Sequence, residues 1–71
     1  MMTNKYEVVI YWSEVDKVFI AEMPELNGCI AHGDTKDEAL REITAVAEEW
    51  LEAAKEKGWN IPQPKGRLIY A

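Results

Sequence analysis

Thiol and imidazole are scarce in this chain, which has one cysteine, Cys29, and one histidine, His32. A lone cysteine forms no internal disulfide, so nothing implies an oxidising compartment, and the cytoplasm is the expected location. One Cys and one His cannot complete a zinc set, and their spacing on a strand would send them to opposite faces. Long apolar runs are missing too. The longest is Val8-Val9-Ile10-Tyr11-Trp12, whereas a membrane-spanning helix needs about 20 such residues. Met1 to Lys5 lack the pattern of a signal peptide. Basic residues are few, 8 against 13 acidic for a net charge of −5. They are scattered, from Lys5 to Arg67, so direct nucleic-acid binding is not expected. Gly28 and Gly33 stand outside any phosphate-binding loop motif.

What is present is enough for one domain. The chain has 71 residues, of which 48% are hydrophobic; it is too short for two domains and too apolar for wholesale disorder. A chain of this size buries only roughly 60% of the surface it exposes when unfolded. Self-association or a permanent partner is therefore expected.

Residues 5–12 alternate with period two. Tyr6, Val8, Ile10 and Trp12 share one face; Glu7, Val9 and Tyr11 share the other, which is only partly polar. Ser13-Glu14-Val15-Asp16 predicts a turn, and Lys17–Met23 a second strand with Phe19, Ala21 and Met23 on one side and Val18 and Ile20 on the other. Pro24 to Gly28 predicts a connection with a tight turn at Asn27-Gly28, followed by a short strand over Cys29–His32. Thr35-x-x-Glu38 is a capping box that opens a helix over residues 36–57. Ala39, Leu40, Ile43, Val46, Ala47, Trp50, Leu51 and Ala54 form its apolar stripe. Gly58 suits a left-handed end, with Trp59 packing back on Ala54. Ile61-Pro62-Gln63-Pro64 favours extended chain, and Arg67–Tyr70 predicts a last strand. The expected fold class is α+β, in the order β-β-β-α-β, with one long helix on a small sheet.

Candidate chemistry is sparse. Ser13 has no nucleophile elbow around it, and His32 is the sole imidazole base. Glu42, Glu48, Glu49, Glu52 and Glu56 all lie off the apolar stripe, on a face with no cleft to separate their pKa values. A solvated helix surface explains them, and so does attraction to a basic partner. Trp50 and Trp59 fit core and cap packing. Trp12, at a strand end, fits either a lid on the core or an interface anchor.

One combination is more specific. The run Phe19-Ile20-Ala21-Glu22-Met23-Pro24-Glu25-Leu26-Asn27-Gly28-Cys29 leads to Gly33-Asp34-Thr35. Then come Glu38-Ala39-Leu40, a long helix, Gly58, and Ile61-Pro62-Gln63-Pro64. In this order the segments resemble the HicB family of antitoxins, over about residues 6–64. The resemblance implies a partial ribonuclease H-like fold without nuclease activity. It also implies a partner, a small basic HicA-type toxin that cleaves messenger RNA. Many members carry a C-terminal DNA-binding domain. Nothing after Tyr70 is left to form one, so a single HicB-like domain over residues 1–71 is expected.

The expected function is therefore an antitoxin-like protein-binding module, with no enzymatic role, metal or cofactor. Its candidate partner-binding residues are Trp12, Glu48, Glu49, Glu52 and Glu56, with the exposed sheet edge as a competing contact. The alternative is a solitary, homo-oligomeric HicB-like domain with another protein or small-ligand partner. A ribonuclease H-like nuclease is a third reading, and it needs acids such as Glu7 and Asp34 to converge on a divalent metal.

Overall fold

A computed structural model describes residues 5–64. It places β1 at Val9–Ser13, β2 at Val18–Glu22, β3 at Ile30–Gly33 and α1 at Lys36–Lys57. The strands form one antiparallel sheet in the order β1-β2-β3. This is the α+β arrangement expected for residues up to the helix. The strand expected over Arg67–Tyr70 lies outside the described residues.

The first strand begins later than its period-two pattern. Pairing runs from Ser13↔Val18 to Val9↔Glu22. Beyond Glu22 the second strand turns away toward Pro24, which has no N–H to offer a ladder. Lys5 to Val8 therefore have no strand partner there, and other groups serve them. The Glu7 N–H donates to Glu25 Oε1 at 3.0 Å, and the Tyr6 hydroxyl donates to the Pro62 carbonyl. The hairpin turn is displaced by one residue from the expected Ser13–Asp16, to residues 14–17. Lys17 sits at φ 59°, and its N–H closes the turn on the Ser13 carbonyl at 2.7 Å.

Cys29 falls just outside β3 because its N–H is held by the Leu26 carbonyl at 3.0 Å. Its carbonyl still accepts from the Met23 N–H at 3.1 Å. This compact connection turns at Gly28, whose φ of 79° is costly for any residue with a Cβ.

The helix ends lie where the capping residues put them. Thr35 Oγ1 accepts from the Glu38 N–H at 3.0 Å. The reciprocal bond reaches one residue further than in a standard capping box, from the Asp34 N–H to Glu38 Oε1. At the other end Gly58 is left-handed, and the Trp59 N–H donates to the Ala54 carbonyl at 2.9 Å. That is the long bond of a Schellman close. The Trp59 ring lies against Trp50, centroids 5.8 Å apart.

The core lies between the helix and one sheet face. Tyr6, Ala21, Met23, Leu26, Cys29, Ala39, Ile43 and Ala47 are buried in it, with Val8, Ile10, Phe19 and Leu51 packed against them. The helix packs mainly on β3, less on β2 and least on β1. One expected core position, Leu40, and the strand-end Trp12, which fitted either a core lid or an interface anchor, are affected by that offset. Leu40, assigned to the apolar stripe, is 44% exposed, and Trp12 is 46% exposed. Leu40 lies at the margin of a stripe whose centre is Ile43. Trp12 is the penultimate residue of β1, the strand that the helix covers least. No described helix is long and apolar enough to cross a membrane.

Gly33 is what lets α1 start against β3. A Cβ there would meet the Ala39 backbone nitrogen at 2.5 Å and the Glu38 carbonyl carbon at 2.9 Å. Gly33→Ala should therefore cost about 1–3 kcal/mol, seen as a lower urea midpoint. Tyr6 gives a pH test. Burial, and then the nearby Glu25 carboxylate, push its hydroxyl above the usual tyrosine range. A raised folded pKa keeps its stabilisation whole below the unfolded tyrosine value of about 10 and loses it as pH rises past that value. Tyr6→Phe should be less stable by about 1 kcal/mol at pH 7 and should lose less stability than the parent chain in alkali.

Candidate functional site

Alternation along the strands divides the sheet into a covered and an uncovered face. Phe19, Ala21 and Met23 point to the helix. Val18, Ile20 and Glu22 point away, alongside Val9 and Tyr11 of β1 and Ile30 and His32 of β3. Among the described residues no element lies over that second face. Val9 is 38%, Tyr11 43% and Ile30 52% exposed.

Trp12 is held rather than loose. Its Nε1–H donates to Glu14 Oε1 at 2.8 Å, and its ring meets Phe19 edge-on at 5.1 Å. Glu14 also pairs with Lys17. Those two bonds, Lys17 first and then Trp12, hold the Glu14 carboxyl below its usual range. Across Phe19 stands Lys36, its Nζ 5.9 Å from the ring centroid, and Leu40 follows one helical turn on. The result is a pre-arranged aromatic and aliphatic patch at the end of the sheet where α1 begins. Rigid, half-exposed aromatics of this kind serve as interface anchors.

The acidic candidates lie elsewhere. Glu48, Glu49, Glu52 and Glu56 are all exposed. At 100° per residue Glu42, Glu49, Glu52 and Glu56 make a ridge on the side of α1 opposite Ile43 and Ala47, and Glu48 stands at its flank. Among the described residues none of these five carboxylates is held by an ion pair or hydrogen bond. The distance from Lys36 to Glu48–Glu56 is roughly 18–30 Å along the helix. The structure therefore does not unite Trp12 with the acidic residues. It presents two surfaces, an aromatic patch at the helix start and an acidic ridge along its second half.

The remaining candidates for chemistry stay apart. Cys29 is buried while His32 is exposed on the uncovered face, as their odd spacing implied. Glu7 precedes β1 at the sheet end where Val9 meets Glu22, and Asp34 follows β3 at the other end, where Gly33 meets Phe19. They do not converge. Among the described residues no three Cys, His, Asp or Glu side chains gather as a metal-binding group. At the far end of the helix Trp50, Trp59, Asn27 and Asn60 line an open hollow. The Trp50 Nε1–H is bonded there to the Asn27 carbonyl at 2.9 Å, a bond that ties the helix to the β2–β3 connection.

Sequence patterning understated the uncovered sheet face. Its signal was available in Val9 and Tyr11, the only partly polar side of β1, and in Val18 and Ile20 of β2. Leu40 gave no such signal, because it fits the helical stripe and only the offset of α1 exposes it.

Comparison with known proteins gives a consistent result. The UPF0150-like family model matches residues 1–62. A UPF0150 protein of Synechocystis sp. is 40% identical over 63 residues, covering 89% of this chain and 85% of the relative. A UPF0150 protein of Thermoplasma acidophilum is 36% identical over 65 residues, covering 92% and 93%. No solved structure matches the chain significantly.

Burial pushes the Cys29 thiol above its usual pKa. Alkylation needs both an exposed sulfur and a thiolate. Iodoacetamide should therefore label the native chain far more slowly than the urea-unfolded chain at the same pH, as followed by mass spectrometry. Equal rates would show that Cys29 is open to solvent.

Proposed function

The chain belongs to the UPF0150-like family, and from that premise we propose that it is a HicB-like antitoxin module that covers the basic surface of a small HicA-type, RNA-cleaving partner. The observation that carries the reading is the acidic ridge of α1. Carboxylates with no partner among the described residues keep their full field for an incoming cation. A protein that grips RNA must offer clustered lysine and arginine to phosphate. The ridge presents the same sign of charge as RNA on a rigid 22-residue helix.

The mechanism is occlusion. Long-range attraction brings the basic partner to the ridge, and the complex then shields its RNA-binding surface. Glu48, Glu49, Glu52 and Glu56 supply the field. Trp12 contributes differently, as a desolvated anchor whose indole is already oriented by Glu14 and Phe19. Since the two surfaces are apart, a partner that uses both must wrap the flank of the helix. The module needs no catalytic group or cofactor for this role.

A second reading, a self-associating domain with a different partner, has its own support in the uncovered sheet face. The two readings use opposite sides of the molecule and are compatible.

The test is co-expression with a small basic protein encoded beside this chain. The parent chain should relieve its toxicity and co-purify with it. Glu49→Lys with Glu52→Lys should slow association by about tenfold or more at low salt, with a smaller difference at high salt. Trp12→Ala should mainly speed dissociation. If the doubly reversed chain neutralises and associates as the parent does, the ridge is not the contact. If the parent chain leaves toxicity unchanged, the antitoxin reading fails.

A further inference from the structure

The uncovered face of the sheet is a small grid with Ile20 at its centre. Tyr11 and His32 flank Ile20 on the neighbouring strands, by the pairings Tyr11↔Ile20 and Ile20↔His32. Along β2 itself the same-face neighbours are Val18 and Glu22. Val9 and Ile30 stand beside Glu22. The face thus offers Val9, Tyr11, Val18, Ile20 and Ile30 around one carboxylate and one imidazole. At the rim, Asp16 shares with Val18, Ile20 and His32 the lining of a shallow depression, and the exposed Asp34 follows β3 two residues beyond His32. Glu22 accepts a hydrogen bond from the Tyr11 hydroxyl at 2.6 Å. The imidazole of His32 has no hydrogen bond or ion pair among the described residues.

We propose that this face packs against the same face of a second copy of the chain, with Glu22 of each copy paired to His32 of the other. The geometry singles out one arrangement. Seen from Ile20, Glu22 lies one step along the strand and His32 one strand across, so the two directions are at right angles. A two-fold axis that lies between the sheets and bisects those directions exchanges the two positions. It sets each Glu22 over the other copy's His32, Ile20 over Ile20, and Tyr11 over Val18. The strands of the two sheets then cross at about 90°, one of the two preferred classes of sheet packing. The other simple two-fold axes pair less well. An axis parallel to the strands puts Glu22 on Glu22, and one perpendicular to them puts His32 on His32. The remaining diagonal leaves His32 facing Val18.

Charge and size set which face can pair and how strongly. Each chain carries a net charge of −5, which opposes association through most of its surface. The grid itself holds one carboxylate, Glu22, with others only at its rim, and pairing through it keeps the two acidic ridges on the far outsides of the pair. With sheets about 10 Å apart and a helix layer beyond each, the ridges are separated by roughly three Debye lengths. The footprint is modest, roughly 14 by 17 Å for three strands of at most five residues. Standard interfaces take about 800 Å² from each partner, so the dimer is a weak, concentration-dependent one. It leaves α1 free and would present two acidic ridges on one particle. It does not depend on the antitoxin reading.

Charge exchange on the full-length chain tests this. Sedimentation equilibrium of the parent should show a monomer–dimer equilibrium. His32→Glu places like charges together twice, and Glu22→Lys removes both pairs. Each variant alone should dimerise at least about tenfold more weakly, with a circular dichroism spectrum like the parent's. Mixed in equal amounts, the two variants should recover a heterodimer. The two substituted side chains then face each other with opposite charges, and the native Glu22–His32 pair forms at the symmetry-related position. A parent chain that stays monomeric at millimolar concentration overturns the proposal, whatever else covers the face. So do single variants that dimerise like the parent, or a mixture that fails to recover association.

Discussion

The close approach of the α1 start to β3 governs most of this structure. Gly33 has no side chain, and the backbone of Glu38 and Ala39 occupies the space where one would be. Thr35 and Glu38 then fix the first turn through their side-chain bonds to the Glu38 and Asp34 N–H groups. A helix that begins flush against the last strand of the sheet has to run back across that strand. It therefore lies over β3 and β2 and only grazes β1. Closely packed interiors do not average out such an offset. The cost appears at the margins, in the exposure of Trp12 and Leu40.

From that one constraint the molecule acquires opposed surfaces. The outward side of α1 carries carboxylates with no partner among the described residues, while the outward side of the sheet carries an apolar grid with a single Glu and a single His. Between them, at the helix start, Trp12 and Phe19 form a held aromatic edge. An acidic surface is suited to capture and steering, whereas an apolar sheet face is suited to burial. In the readings proposed above, a small domain engages a basic protein on one side and its own copy on the other. Either contact adds stability that a single core of this size supplies only sparingly.

The ends of the helix were legible because capping is local chemistry. Thr35, Glu38, Gly58 and Trp59 act over a few residues, so their pattern in the chain is the same as their pattern in space. The strand starts were less legible. Lys5 to Val8 have the composition of a strand, but pairing needs a partner, and β2 departs at Met23-Pro24. Cys29 likewise reads as strand, yet its N–H goes to the turn. The candidate residues divide in the same way. Glu48, Glu49, Glu52 and Glu56 were placed on the solvent side by periodicity alone, and the structure keeps them there. Their separation from Trp12 depends on which end of the sheet meets the helix start, which no spacing encodes.

By itself the sequence determined the order of the elements up to the helix, the extent of α1, the core face of β1 and the acidity of the helix exterior. Each of these follows from periodicity, capping or charge within a short stretch of chain. The tertiary structure alone decided that α1 sits off centre, that Leu40 and Trp12 stay open, that Glu7 and Asp34 lie at opposite ends of the sheet, and that Glu22 and His32 flank Ile20 at right angles. Those facts depend on pairing register and on the contact of residues distant in the chain. Register is set where strands and helix meet, so a one-dimensional pattern does not contain it.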